Sequence, residues 1–228
     1  MTPRQRFCFA GVVTALVLAA AVASCWSCAS HIPPAARGRT APQMHHSTVT
    51  IRTFCGGKFH GGSGVVVSPN RVLTAAHVVT CENADGIKSQ ASDVRVNPGD
   101  GQWRPAKIVA YAMTPDVAAL VVEGIDRYGD IPVTLGPIPG LGERVCASTG
   151  SMPRYAIKCG FVQPRDDQEE AGDIEMDATI EPGNSGSGLY DASGRLVGIV
   201  VHFRRCINGQ ICGGAATSVW SRKTLLGI

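Results

Sequence analysis

Between residues 48 and 220, apolar runs of three to eight residues alternate with turn signals such as Gly56-Gly57 and Pro98-Gly99. Short runs of this kind, rich in Val and Thr, are typical of β-strands. A Pro- and Gly-rich stretch at residues 132–142 divides them into two sets of six. The sequence therefore predicts an all-β chain built from two six-stranded antiparallel β-barrels.

The predicted first barrel covers about residues 48–131, and the second covers about residues 143–228. Residues 218–228 are expected to close the chain as a short C-terminal helix. The predicted strands are 48–55, 62–68, 71–76, 94–97, 106–112 and 117–123, followed by 144–149, 155–162, 174–178, 188–190, 196–202 and 215–220.

The composition supports a folded protein rather than a disordered chain. Apolar residues make up 44% of the 228 residues and charged residues 17%, which is enough to bury a core. The formal net charge is +3, and Arg4 and Arg6 lie in a segment that we expect to be removed. The mature charge would then be about +1, which gives no reason to propose a nucleic-acid partner.

The first 24 residues have the pattern of an export signal. Arg4 and Arg6 precede an apolar run at residues 7–23, which ends in small residues. This pattern predicts a secretory signal peptide at residues 1–24. The run is slightly short for a membrane span of about 20 residues, and an uncleaved signal anchor is the alternative. Either arrangement would export everything that follows.

The tetrapeptide Val-Ala-Ser-Cys that ends at Cys25 resembles the bacterial lipobox, whose Cys receives a diacylglycerol. The resemblance implies a lipoprotein anchored through Cys25 to the outer face of a bacterial membrane, with simple secretion as the alternative. Cys25 and Cys28 also form a C-x-x-C, but no βαβ pattern follows to support a redox site. Residues 25–47 are expected to form a flexible tether ahead of a domain at 48–228.

Six of the nine cysteines lie in the predicted domain, and an even number in an exported domain suggests disulfide bonds. Many pairings are open to six cysteines. Proximity along the chain favours Cys55–Cys81, Cys146–Cys159 and Cys206–Cys212.

Three polar groups interrupt the apolar pattern, and each has an ordinary structural alternative. His77 follows a strand in Thr-Ala-Ala-His, where it could also be a structural histidine. Asp116 opens an apolar run, where a turn residue is the alternative. Ser185 lies among glycines in Gly-Asn-Ser-Gly-Ser-Gly. A loop of that composition can turn its N–H groups toward an oxyanion, or it can be an ordinary glycine-rich loop.

The order His77, Asp116, Ser185 is the chain order of chymotrypsin-like proteases. The motifs TAAH, DVAALVV and GNSGS around these residues resemble the trypsin/chymotrypsin superfamily over about residues 48–228. The segment DATIEPGNSGSGL is more similar to bacterial members, including glutamyl endopeptidases and HtrA-type proteases. The resemblance implies a chymotrypsin-like fold with a site in the cleft between two barrels.

The resemblance also implies a role for each residue. Ser185 would attack a peptide carbonyl and form an acyl-enzyme, and His77 would carry the proton to the leaving amine. Asp116 would accept a hydrogen bond from the far ring nitrogen of His77. The backbone N–H groups of Gly183 and Ser185 would form the oxyanion hole. This chemistry requires neither a metal nor an organic cofactor.

The substrate pocket is implied by the same resemblance. Thr179 would lie at its base, with Ile180, Val200 and Phe203 around it. Digestive trypsins carry Asp at the base, so we expect a modest apolar side chain rather than Arg or Lys. Phe203 stands where the family usually has Gly, so it would narrow or block the pocket. His202 suggests Glu specificity, but the His of glutamyl endopeptidases falls about two positions earlier.

Three departures from the family are visible. Asn184 precedes Ser185, where zymogen-type members have an Asp that pairs with a new N-terminus, so we expect no activation of that kind. Val201 occupies the position of a Ser that supports the catalytic Asp. The chain ends at Ile228, so we expect no PDZ domain of the HtrA kind, and we expect a monomer.

We therefore expect an exported serine endopeptidase that acts on proteins or peptides and is held at the membrane by N-terminal lipid or a signal anchor. The alternative is a binding module that keeps the trypsin fold without turnover, which the unusual pocket favours. A metal site is not expected, because the spacing of its candidate ligands matches no common zinc pattern. Those candidates are His45, His46, Cys55 and His60.

Overall fold

The computed structural model describes residues 38–126, 133–149, 156–165, 174–206 and 209–228. The predicted signal peptide, Cys25 and most of the predicted tether lie outside the described residues. Within the described ranges, no helix has both the length and the apolar character needed to cross a membrane.

Barrel one is closed by six antiparallel strands in the spatial order β1-β2-β3-β8-β7-β6. Between β3 and β6 the chain forms a small separate sheet of two strands, β4 and β5. The strands are β1 Thr48–Cys55, β2 Lys58–Ser68, β3 Arg71–Thr74, β4 Thr80–Glu82, β5 Lys88–Gln90, β6 Asp93–Asn97, β7 Arg104–Ala112 and β8 Val117–Val122.

Barrel two is closed by another six antiparallel strands in the order β10-β11-β14-β13-β12-β9. The predicted pair of six-stranded barrels is therefore confirmed, and β4–β5 is an addition that the sequence did not indicate. The strands are β9 Arg144–Thr149, β10 Ala156–Gln163, β11 Ile174–Met176, β12 Gly188–Asp191, β13 Leu196–Arg205 and β14 Ile211–Ser218.

The short apolar strands have two buried faces because the barrels pack against each other. In β8, Ala118 and Leu120 point into the core of barrel one. Val117 and Ala119, on the other face, belong to a cluster that also contains Tyr190 and other barrel-two residues. We call this cluster the seam. Strand alternation thus explains why β8 is apolar at nearly every position.

Residues 38–47 correct the predicted boundary between tether and domain. The N–H groups of Gly38 and Arg39 donate to the carbonyls of Ser193 and Gly194. The buried Arg39 guanidinium donates to the Val66 carbonyl at 2.8 Å. Helix α1 follows at Ala41–His46. The ten described residues before β1, which were assigned to the tether, are therefore part of the folded domain.

The chain closes with a 3₁₀ turn at Trp220–Arg222 and helix α2 at Lys223–Leu226, within the stretch predicted as helical. Gly227 ends α2 with a left-handed φ of 67°. Both helices contribute to the seam, α1 through Met44 and α2 through Leu226.

The described part of the chain contains three disulfides, and they are the pairs favoured by proximity: Cys55–Cys81, Cys146–Cys159 and Cys206–Cys212. The first ties β1 to β4, directly after the turn that carries His77. It also occupies Cys55, which was one of the candidate zinc ligands.

Candidate active site

His77 and Asp116 are brought together at one edge of barrel one. His77 lies in a 3₁₀ turn at Ala76–Val79 directly after β3, and Asp116 immediately precedes β8. Because β3 and β8 are paired neighbours, their adjacent ends bring the two side chains within reach. The His77 Nδ1 atom lies 2.7 Å from Asp116 Oδ2, and the His77 backbone N–H donates to Asp116 Oδ1 at 2.9 Å. Both carboxylate oxygens therefore hold the same histidine.

The backbone of Asp116 is strained in a way that serves this contact. Its φ is +50°, a left-handed value that a non-glycine residue adopts at some cost. Its N–H donates to the Met113 carbonyl at 2.9 Å, which closes the turn before β8. The side chain is 25% exposed and that of His77 is 39% exposed. The pair is thus partly exposed to solvent and not buried in the core.

The Ser185 loop is fixed by its own hydrogen bonds. The N–H groups of Asn184, Gly186 and Ser187 all donate to carbonyls inside the protein. Among the described residues, the N–H groups of Gly183 and Ser185 have no such acceptor. The two groups predicted for the oxyanion hole are therefore the two that this loop leaves available for a ligand.

Ser63 links this loop to barrel one, and sequence reasoning missed it. Its N–H donates to the Ser185 carbonyl at 2.7 Å, and its hydroxyl donates to the Gly183 carbonyl at 2.8 Å. The Ser63 carbonyl in turn accepts from the Thr74 hydroxyl at 2.7 Å. Ser63 therefore sets the position of the loop relative to the strand that leads to His77. The signal that could have found it is the Gly-Ser-Gly at the start of an apolar run.

Gly186 and Gly62 allow this close contact between loop and barrel. A side-chain carbon at Gly186 would overlap the Ser63 carbonyl and the Thr74 hydroxyl. One at Gly62 would overlap Val78, the residue after His77, and crowd the Ser185 carbonyl. The missing side chain at Gly62 therefore lets the loop that carries Ser185 and the turn that carries His77 lie close to each other.

The Ser185 hydroxyl makes no hydrogen bond to His77 within the described residues. Contacts of this kind are often long in the absence of a substrate and tighten only in the complex. The structure thus brings His77 to Asp116 directly, and it brings the Ser185 loop to the same edge through Ser63 and Gly62.

The four predicted pocket residues differ in accessibility. Ile180 and Val200 are fully buried and belong to the core of barrel two. Thr179 is exposed, and Phe203 is half-buried against that core. Phe203 also stacks on His202, with ring centroids 5.4 Å apart. A ligand at this place would contact Thr179 and Phe203 rather than the two aliphatic side chains.

The structure shows the contacts of two residues that depart from the family pattern, Asn184 and Val201. The Asn184 side chain accepts the Glu181 N–H at 2.9 Å, so it stabilises its own loop. Val201 is buried with Ala76 and Val78 in the barrel-one core, beneath the His77 turn. Val201 therefore supports the turn by packing and cannot donate a hydrogen bond to Asp116.

Comparison with known proteins identifies similar chains. Serine protease PepD of Mycobacterium tuberculosis is 29% identical over 186 residues, covering 75% of this chain and 40% of the relative. The periplasmic serine endoprotease DegP of Escherichia coli K12 is 30% identical over 154 residues, covering 60% of this chain and 29% of DegP. The chain thus spans less than half the length of these relatives.

A solved structure has the same fold. The active form of the Rv3671c protease of Mycobacterium tuberculosis superimposes with a TM-score of 0.65 at 24% identity, covering 87% of this chain and 88% of that chain. A family model described as the trypsin-like peptidase domain matches residues 62–199, which include His77, Asp116 and Ser185. That match extends over more than half of the chain, and the chain therefore belongs to the trypsin-like peptidase domain family.

Proposed function

We propose that this chain is an exported serine endopeptidase that hydrolyses peptide bonds through Ser185, His77 and Asp116. One observation carries the proposal. His77 Nδ1 is paired with Asp116 Oδ2 at 2.7 Å, beside a loop whose Gly183 and Ser185 N–H groups have no acceptor within the described residues. A base held in one orientation next to two available donors is the arrangement that acyl transfer needs.

The chemistry follows from these contacts. When Nδ1–H of His77 is donated to Asp116, the other ring nitrogen carries a lone pair and can accept a proton. A serine hydroxyl is a weak nucleophile, so Ser185 needs that base when it attacks the substrate carbonyl. The negative oxygen that forms would be held by the Gly183 and Ser185 N–H groups, each worth about 10²–10³ in rate.

Breakdown of the tetrahedral intermediate uses the same groups. His77 returns its proton to the amine nitrogen, the peptide C–N bond breaks, and the acyl group stays on Ser185. Water then repeats the sequence and releases the acid. Asp116 stays ionised and stabilises the imidazolium that forms in each half of the reaction.

The relatives support both the activity and the export. PepD and DegP are named serine proteases, and DegP is named a periplasmic endoprotease. We propose that this chain likewise acts on proteins or peptides outside the cytoplasm, as a monomer. Thr179 and Phe203 would receive a modest apolar side chain of the substrate.

Labelling with a fluorophosphonate probe tests the activity. We expect the probe to modify the wild type and not Ser185→Ala, with Ser193→Ala as the matched control. Ser193 is exposed, and its hydroxyl makes no hydrogen bond within the described residues. Equally weak labelling of all three, with unchanged thermal unfolding, would contradict the proposal. It would favour the alternative, a trypsin-fold binding module without turnover.

The proposed location rests on Cys25. Lipid attachment there would hold the enzyme at the outer face of a bacterial membrane, and the matched pair Cys25→Ser and Cys28→Ser tests it. We expect Cys25→Ser to leave the membrane fraction and Cys28→Ser to remain. A Cys25→Ser protein that stays in the membrane with unchanged mobility would exclude lipid at this residue.

A further inference from the structure

A cleft of about 390 Å³ lies beside the candidate oxyanion hole and takes no part in the roles assigned above. Gly183 forms one wall, and the other walls come from barrel one. We call it the Arg52 cleft, after the charged residue on its surface. The residues that matter for its chemistry are Arg52, Phe59, His60, Asn97, Trp103 and Gly183.

Strand pairing opens this cleft. Ile51 and Thr53 in β1 are buried, so Arg52 between them points to the outer face of the barrel. Its partner in the neighbouring strand β2 is Gly61, which has no side chain to fill the space beside Arg52. The missing side chain leaves room for a ligand group next to the guanidinium.

The Arg52 guanidinium lies against two aromatic rings. Its Cζ atom lies 4.2 Å from the ring centroid of Trp103 and 4.9 Å from that of Phe59. Stacking of this kind restrains a guanidinium through its faces and leaves the N–H groups along its edge able to donate. Arg52 is thus positioned before any ligand arrives.

Charge in the cleft is uncompensated. Within the described residues, the Arg52 guanidinium makes neither an ion pair nor a hydrogen bond, and no acidic residue lines the cleft. Arg95 in β6 lies opposite Arg52, and its Nε atom is 3.0 Å from Asp93 Oδ1 in an ion pair. One arginine of this facing pair therefore has its carboxylate, and the other lacks one.

The position of the cleft beside Gly183 indicates which part of a substrate would reach Arg52. The residues proposed to receive the acyl side of the substrate, Thr179 and Phe203, lie in barrel two and do not line this cleft. The cleft borders the oxyanion hole from barrel one. Because it borders the oxyanion hole without including those residues, we assign it to the part of the substrate that follows the cleaved bond.

We propose that the Arg52 cleft binds an acidic side chain, Glu or Asp, within the first few residues after the cleaved bond. This inference rests on the proposed endopeptidase function and specifies its substrate. The stacked guanidinium would form charge-assisted hydrogen bonds with the carboxylate, whereas a lysine at the same place would be repelled.

Matched peptides test the proposal. A site cleaved in denatured casein would be resynthesised as quenched fluorescent, C-terminally amidated peptides, with Glu, Gln or Lys at each of the three positions after the bond. Wild type should show a kcat/KM about five- to tenfold higher for Glu than for Gln at one position. Arg52→Gln should lose that preference and cleave the Gln peptide as wild type does. Arg95→Gln, on the same face, should keep the preference.

Salt provides a measurement that does not depend on the variants. The Glu preference of wild type should shrink as ionic strength rises, because an exposed charge pair is screened. Cleavage without any Glu preference, or a preference that Arg52→Gln retains, would overturn the role of Arg52 and leave the proposed function intact.

A wild type that the fluorophosphonate does not label would overturn the proposed function instead. Binding of unquenched fluorescein-labelled peptides, which share one alanine-rich sequence and carry a single Glu, Gln or Lys, is then measured by anisotropy on Ser185→Ala and tests the cleft without any turnover. Tighter binding of the Glu peptide supports the proposal, and equal binding of the Glu and Gln peptides overturns it.

Discussion

The hydroxyl of Thr217 in barrel two donates a hydrogen bond of 2.6 Å to the carbonyl of Pro115 in barrel one. Pro115 directly precedes Asp116, whose strained backbone presents its carboxylate to His77. Thr217 is itself buried, and the bond is partly buried. A residue of the second barrel thereby restrains the acidic residue of the first.

Thr217→Val should lower stability and weaken activity together. It keeps the shape of the side chain and leaves the Pro115 carbonyl without its donor, which costs about 1–2 kcal/mol. Thermal unfolding should shift by about 2–6 °C. Thr224→Val, at an exposed position in α2, should change neither the unfolding temperature nor kcat/KM. If both variants have the unfolding temperature and kcat/KM of the wild type, the Thr217 hydrogen bond contributes to neither stability nor activity.

Ser63→Ala should reduce kcat more than it changes KM. The variant keeps the backbone N–H that holds the Ser185 carbonyl and loses the hydroxyl that holds the Gly183 carbonyl. A neutral hydrogen bond contributes about 1 kcal/mol, so a roughly fivefold fall in kcat is expected. Steady-state kinetics with any cleaved peptide measure this, and Ser193→Ala is the control. A change confined to KM would contradict a role in positioning the oxyanion hole.

Gly186→Ala should destabilise the domain far more than Gly101→Ala. Both glycines have left-handed φ values, 90° and 79°, so alanine suffers similar backbone strain of about 1–2 kcal/mol at each. Only at Gly186 would the added carbon overlap Ser63 and Thr74, because nothing lies within 4 Å of the new carbon at Gly101. Overpacking adds about 1–3 kcal/mol. Denaturant unfolding of the two variants isolates that difference.

Removal of the Cys55–Cys81 bridge, as the double serine variant, should cost about 3 kcal/mol in the chain-entropy account. The residues are 26 apart in sequence, compared with 6 for Cys206–Cys212. The shorter loop should therefore cost about 1 kcal/mol less when its bridge is removed. Urea unfolding compares the two double variants. A larger loss from Cys206–Cys212 would contradict this ordering.

The strands of both barrels could be predicted because each contains apolar residues at the spacing that burial requires. The sheet of β4 and β5 could not, since all three residues of Lys88–Gln90 are exposed and polar. Helix α1 was missed for a different reason. It has one buried apolar residue, Met44, and it is held by bonds from the preceding Gly38–Arg39 to residues more than 150 positions away.

The residues of the candidate site also differ in how far they could be predicted from the sequence. His77, Asp116 and Ser185 could be singled out because each is a polar residue in a run of apolar or small neighbours. Ser63 was missed because the Gly-Ser-Gly around it is only a weak signal, and its role depends on bonds to Gly183 and Ser185, more than 100 positions away. Arg52 lies on a solvent-facing strand position, and only the register with Gly61 places it beside a cleft.

The seam has a consequence for how the domain can be shortened. Met44 lies ahead of the first strand and Leu226 after the last, yet both are buried in the contact between the barrels. The Arg71 guanidinium also holds the carbonyls of Leu226 and Gly227, so the last turn is fastened to barrel one. Segments from both ends of the fold therefore help to hold the two barrels together. Trimming either end would therefore remove packing between the barrel that carries His77 and the barrel that carries Ser185, even though both residues would remain.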